Sequence, residues 1–234
     1  MIDDRPDAAG HRTAAGEARE TGRIEAFSDG VFAVAITLLV LDLRVPHGAA
    51  DGGALLRELV RQWPAYLAFV TSFATIGIMW MNHHRMFTLI RRVDTPLLLL
   101  NGVLLLAVTF VPFPTALVAE YLSRPGATVA AAVFNGTYVV LALAFNALWH
   151  CAARGRRLLR RDAGPEMVDA ITRDYRLGPP CYIATFMLTF INVGLSVAMN
   201  LALAIFWALP RGTRIRAGGT GPAAPAGGGA ENGP

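Results

Sequence analysis

Long stretches without a single charge alternate with short, arginine-rich stretches along the chain. No charged residue falls between Gln62 and Asn82, between Thr95 and Ala119, or between Pro125 and Ala153. A helix crosses about 30 Å of hydrocarbon with about 20 residues, so each stretch predicts one membrane span. From Leu177 to Pro210 the uncharged run is 34 residues. One helix of that length would measure about 51 Å, too long for one crossing. Two short helices with a turn near Asn192-Val193-Gly194 fit better, because Asn and Gly tolerate turn dihedrals. The N-terminal span is the least regular. Only 12 residues separate Asp29 from Asp42. If the helix begins near Arg23 it reaches a spanning length but carries Glu25, Ser28 and Asp29. A span with such groups faces protein or water rather than lipid, so it is expected to be the innermost helix. The pattern predicts an all-α polytopic membrane protein with six transmembrane helices, at about 23–43, 62–83, 96–119, 126–151, 178–192 and 194–210.

Composition agrees. Hydrophobic residues are 54% and charged residues 16%, with a mean hydropathy of +0.43. Soluble domains carry about 25% charge, which excludes a water-soluble enzyme, a disordered chain and a secreted disulfide scaffold. The two cysteines, Cys151 and Cys181, are too few for a disulfide framework. All 21 basic residues are arginine. With the N-terminus cytoplasmic, 17 of them fall on inside segments, and only Arg44, Arg57, Arg61 and Arg124 fall outside. This is the positive-inside pattern of a multi-pass cell-membrane protein with both termini cytoplasmic. The net charge of +4 needs no nucleic acid, for which no motif is present. Residues 1–22 mix acids and bases and read as a disordered cytoplasmic tail rather than a signal peptide. Residues 211–234, rich in Gly, Ala and Pro, read as a second tail. A short surface helix is expected within 155–174. No internal repeat is evident, which weighs against folds of two similar halves.

The chemistry concentrates in Arg23 to Asp42. On a helical wheel Val34, Thr37, Leu38 and Leu41 share one face, while Ser28 and Asp29 lie roughly 120–140° from Val34. The first set is an apolar stripe with one hydroxyl; the second is a polar patch that needs partners at membrane depth. The second span offers Trp80, His83 and His84, with Trp80 and His84 four apart on one face. Asp29 and Ser28 are expected to bond His83 or His84 and the Trp80 indole, with Arg23 nearby, as a staple between helices. A catalytic or proton-relay role for the same groups is the alternative. A metal site is not expected, since adjacent histidines point to different faces and no H-E-x-x-H or Cys-rich spacing occurs.

Arg23 and Phe27-Ser28-Asp29, followed by the run Gly30 to Leu41, resemble the first helix of the transmembrane protein 175 family in its bacterial six-span form. The run from Trp80 through His83 and His84 to Phe87 resembles a second feature of that family. Its members are potassium channels of endosomes and lysosomes in animals and potassium-permeable channels in bacteria. The resemblance implies a homotetramer whose four first helices line a central pore without a conventional selectivity filter. No T-V-G-Y-G-like run occurs here. It places an apolar constriction at Val34, smaller than the Ile or Leu expected there, with further layers at Thr37 or Leu38 and at Leu41. The implied function is potassium conduction favoured over sodium, with no cofactor, the lipid bilayer as environment and other copies of the chain as partners. The competing reading is a proton-coupled secondary transporter using Asp29 with His83 and His84. A membrane-embedded enzyme or a purely structural protein fits the residues less well.

Overall fold

The computed structural model describes residues 8–48 and 50–208. Every regular element among them is helical: α1 (Ala8–Leu38, continued by a 3₁₀ turn at Leu39–Asp42), α2 (Gly52–Arg61), α3 (Trp63–Leu89), α4 (Thr95–Phe110), α5 (Pro112–Tyr121), α6 (Ala127–Ala153), α7 (Pro165–Leu188) and α8 (Val193–Ala208). Among the described residues, four segments are long and apolar enough to cross a membrane: Arg19–Asp42, Trp63–Leu89, Thr95–Tyr121 and Ala127–Arg156.

Prolines and caps set the boundaries. Pro112 lacks the N–H that would continue the helical ladder, so the third segment bends between α4 and α5. The last uncharged run divides where the sequence suggests, but by capping rather than by turn dihedrals. Asn192 Oδ1 accepts from Leu195 N at 2.9 Å and opens α8. The fifth expected span and the expected surface helix prove to be parts of one helix, since α7 starts at Pro165 and runs through to Leu188. It passes directly through Pro179 and Pro180. Pro179 frees the carbonyl of Tyr175, which Asn146 Nδ2 satisfies at 2.7 Å.

The expectation of a disordered tail over 1–22 is corrected for residues 8–22, which extend α1. Thr21 is buried and its hydroxyl reaches the Arg91 carbonyl at 3.2 Å, while Glu17 pairs with Arg92 at 2.8 Å. These partners lie some 70 positions away, beyond the reach of local sequence. The tail at 211–234 lies outside the described residues.

Within one protomer the inner helix is α6, not α1. Trp149, Tyr138 and Phe134 on α6 have no exposed surface. Of the α1 span 22% is buried, against 56% of the α6 span. Polar side chains brace the interior. Ser72 and Thr115 bond at 2.7 Å across α3 and α5, and Asn135 donates to Thr189 at 2.8 Å and accepts from Asn200 at 2.9 Å, linking α6, α7 and α8. Such bonds are worth about 0.6 kcal/mol each within a membrane.

The arginine-rich loops share one end of the molecule. Arg91 N donates to the Leu158 carbonyl at 2.8 Å, and Arg160 N to that of Leu89 at 2.9 Å. Asp94 fastens the same end by accepting from Leu97 N at 3.0 Å, as the cap of α4, and from Arg157 at 2.5 Å. Partial burial pushes the Asp94 carboxyl up, but the Leu97 amide and then the Arg157 guanidinium outweigh it and hold it below the ordinary carboxylate value. A depressed folded value stabilises the fold above the ordinary carboxylate pKa and is lost as pH falls through the folded value. The Asp94→Ala variant is therefore expected to lose about 1 kcal/mol at neutral pH, with the loss shrinking below about pH 4. Thermal unfolding in detergent at pH 7 and pH 3 checks this; an equal deficit at both would remove the ionised carboxyl from the account.

Candidate functional site

Helix α1 has two unlike faces. Ser28, Phe32, Ala35 and Leu39 recur at helical spacing and are buried against the protomer. Gly30, Ala33, Val34, Thr37 and Leu38 are exposed on the other side. The exposed side is where the anticipated pore row lies. The Thr37 hydroxyl donates to the Val34 carbonyl at 2.9 Å, so its proton is committed and its lone pairs face outward. The row does not run straight to Leu41. The helix tightens to 3₁₀ over Leu39–Asp42, and at about 120° per residue Leu41 aligns above Leu38 rather than beside Thr37. Leu41 is 73% exposed.

The polar patch of α1 meets the end of α3 in two antiparallel rungs. Trp80 Nε1 donates to Asp29 Oδ1 at 2.8 Å, and His84 Nδ1 lies 2.7 Å from Glu25 Oε1. Each pair of residues is four apart on its own helix, so the rungs stack, and the Trp80 and His84 rings stack with them at 6.3 Å between centroids.

Deeper in, Ser28 and His83 are joined through α4. The Ser28 hydroxyl donates to the Ile24 carbonyl at 2.8 Å and accepts from Asn101 Nδ2 at 3.1 Å. Asn101 Oδ1 then accepts from His83 Nε2 at 2.9 Å. The direction of each bond fixes the next, and the histidine is left with its proton on Nε2. Its Nδ1 is buried and has no hydrogen-bond partner among the described residues. The ring is enclosed by Phe87, stacked at 4.3 Å, and Phe32 at 5.4 Å. The structure thus brings Ser28, Asp29, Trp80, His83 and His84 together, but bonds Asp29 to neither histidine. Arg23 and Phe27 lie apart. Both are exposed, and they line a groove of about 460 Å³ that α1 forms with Leu98, Gly102 and Leu105 of α4.

Sequence reasoning missed two members. Asn101 stands in a run of apolar residues between Thr95 and Thr109. A lone carboxamide at membrane depth is itself a signal, since it must find partners inside the protein. Glu25 was legible from its position four residues before Asp29. Among the described residues no group of three His, Cys, Asp or Glu side chains converges to hold a metal.

The family model described as endosomal/lysosomal potassium channel TMEM175 matches residues 23–112, which contain all of these groups. A potassium channel of Chamaesiphon minutus is 55% identical over 194 residues, covering 82% of this chain and 96% of the relative. One from Streptomyces collinus is 46% identical over 189 residues, covering 80% and 91%. The crystal structure of a lysosomal potassium-selective channel TMEM175 homolog from Chamaesiphon minutus matches with a TM-score of 0.74 at 53% identity, over 81% of this chain and 97% of that one. These relatives are ion channels, not enzymes, and the chain described here belongs to the TMEM175 family.

Proposed function

We propose that this protein is a potassium-permeable channel of the cell membrane, favouring potassium over sodium. Four copies assemble around an axis lined by α1, each crossing the membrane six times with both termini cytoplasmic. The observation that carries this reading is the two-faced α1. One face is sealed into the protomer, and the other leaves the side chains of Val34, Thr37 and Leu38 exposed. One helix cannot enclose a lumen, but copies related by a closed rotation can. The gathering of the arginine-rich loops with the early part of α1 at one end supports the orientation.

The chemistry of such a pore follows from its lining. Val34 supplies a narrow apolar ring, which gates by losing its water. One layer on, four Thr37 oxygens with their protons turned to the backbone replace part of an ion's hydration shell. Potassium surrenders water more readily than sodium, which gives a modest preference for it. The side chains of Leu38 and Leu41 continue the wall. The ladder between α1 and α3, with the Ser28–Asn101–His83 chain behind it, holds α1 at the angle that sets the pore radius. The pore needs no cofactor; potassium is its cargo. A proton-coupled transporter using Asp29 with His83 and His84 is less well supported, because these three side chains are engaged by three different partners.

Replacing Thr37 by Ala is expected to lower the potassium-to-sodium permeability ratio severalfold in liposomes; an unchanged ratio would remove its hydroxyl from the conduction path. Val34→Trp is expected to abolish potassium flux while leaving the oligomer intact by size-exclusion chromatography, and wild-type flux in that variant would place the constriction elsewhere. Asn101→Leu leaves the buried His83 Nε2–H without its acceptor and the Ser28 oxygen without a donor, and is expected to cost about 1–3 kcal/mol. The loss is read as a lowered melting temperature in detergent, and an unchanged melting temperature would remove this chain from what holds α1 in place.

A further inference from the structure

A second groove lies away from α1. It is a groove of about 800 Å³ between α3, α6, α7 and α8, within the range of small-molecule sites. Its apolar lining includes Ile78, Met79, Ala142, Phe145, Leu177 and Tyr182. Its other end is charged, lined by Arg85 on α3 and by Arg173 and Asp174 on α7. On α3, Thr75 marks the deep end, and Arg85 lies ten residues further on. At 1.5 Å per residue that is about 15 Å, the depth of one leaflet of a bilayer about 30 Å thick. The arginine end is also the end where the arginine-rich loops meet.

We propose that this groove binds a phospholipid with an anionic headgroup from the leaflet on that side, one acyl chain lying against Met79 and Phe145 and the phosphate between Arg85 and Arg173. Two features select this occupant. The lining is apolar over the depth of a single leaflet, which suits a chain and wastes itself on a free anion. The two guanidinium groups sit at the height of a headgroup phosphate and exceed the one carboxylate beside them, which favours a phospholipid of net negative charge. The assignment rests on the membrane orientation given above and not on conduction.

Native mass spectrometry of the full-length protein, released from detergent with phosphatidylglycerol or phosphatidylcholine of equal chain length, tests it. One net positive charge at the rim is worth about a fivefold preference for phosphatidylglycerol. The double variant Arg85→Gln/Arg173→Gln is expected to erase that preference, and Ala142→Trp, which fills the groove, to lower retention of both lipids. Unchanged retention in the double variant overturns the proposal, and it decides the matter alone if the tryptophan variant melts early. Displacement of phosphatidylglycerol by glycerol phosphate at equal concentration would overturn it in favour of a free-anion site. Increased lipid retention after removal of residues 212–234 would overturn it in favour of the chain's own C-terminal stretch. Potassium flux measured on the same preparations reports separately on the channel reading, so loss of either result leaves the other standing.

Discussion

Inside hydrocarbon no water is available to pair with a polar group, so each one must be satisfied by the protein or left at a cost of several kcal/mol. The first helix carries Glu25, Ser28 and Asp29 within a few turns of its spanning segment, and that constraint decides where it sits. Their partners come from two other helices: Trp80 and His84 on α3, and Asn101 on α4, which also holds His83. Three helices are thereby locked at one depth and one rotation. With Ser28 turned inward, Val34 and Thr37 are turned outward by the geometry of the helix alone. The polar chemistry of one face thus determines the exposure of the other.

The same constraint explains why each type of group stands where it does. The acids lie at the protein's surface, where their partners are half-exposed, and the uncharged Ser28–Asn101–His83 chain lies behind them in the interior, where a charge would be far more expensive. The buried clusters around Ser72 and Asn135 repeat the pattern without any charge. Polar side chains serve this fold as glue between helices, and apolar packing fills the space around them.

Much of this architecture is legible in the sequence because hydrocarbon thickness is a ruler. The gaps between charges locate α3, the bent α4–α5 pair and α6 to within a few residues. The need of Asp29 for a donor points to the end of α3. What resists reading is long-range or depends on local winding. Nothing near Glu17 indicates that Arg91 and Arg92 will hold it and prolong α1 backward. A uniform helical wheel cannot register the tightening at Leu39 that carries Leu41 round to the Leu38 row. Prolines at 179 and 180 suggest a boundary, yet α7 continues through them because Asn146 on α6 satisfies the Tyr175 carbonyl.

That uninterrupted passage has a mechanical meaning. Two successive residues of α7 contribute no amide hydrogen, so two rungs of its internal ladder were never built. The Tyr175 carbonyl freed there is held by Asn146 of α6, and the turn before it is fastened to the same helix through Trp149 and Thr172. The continuity of α7 is therefore lent by α6 and lasts as long as the two helices stay docked.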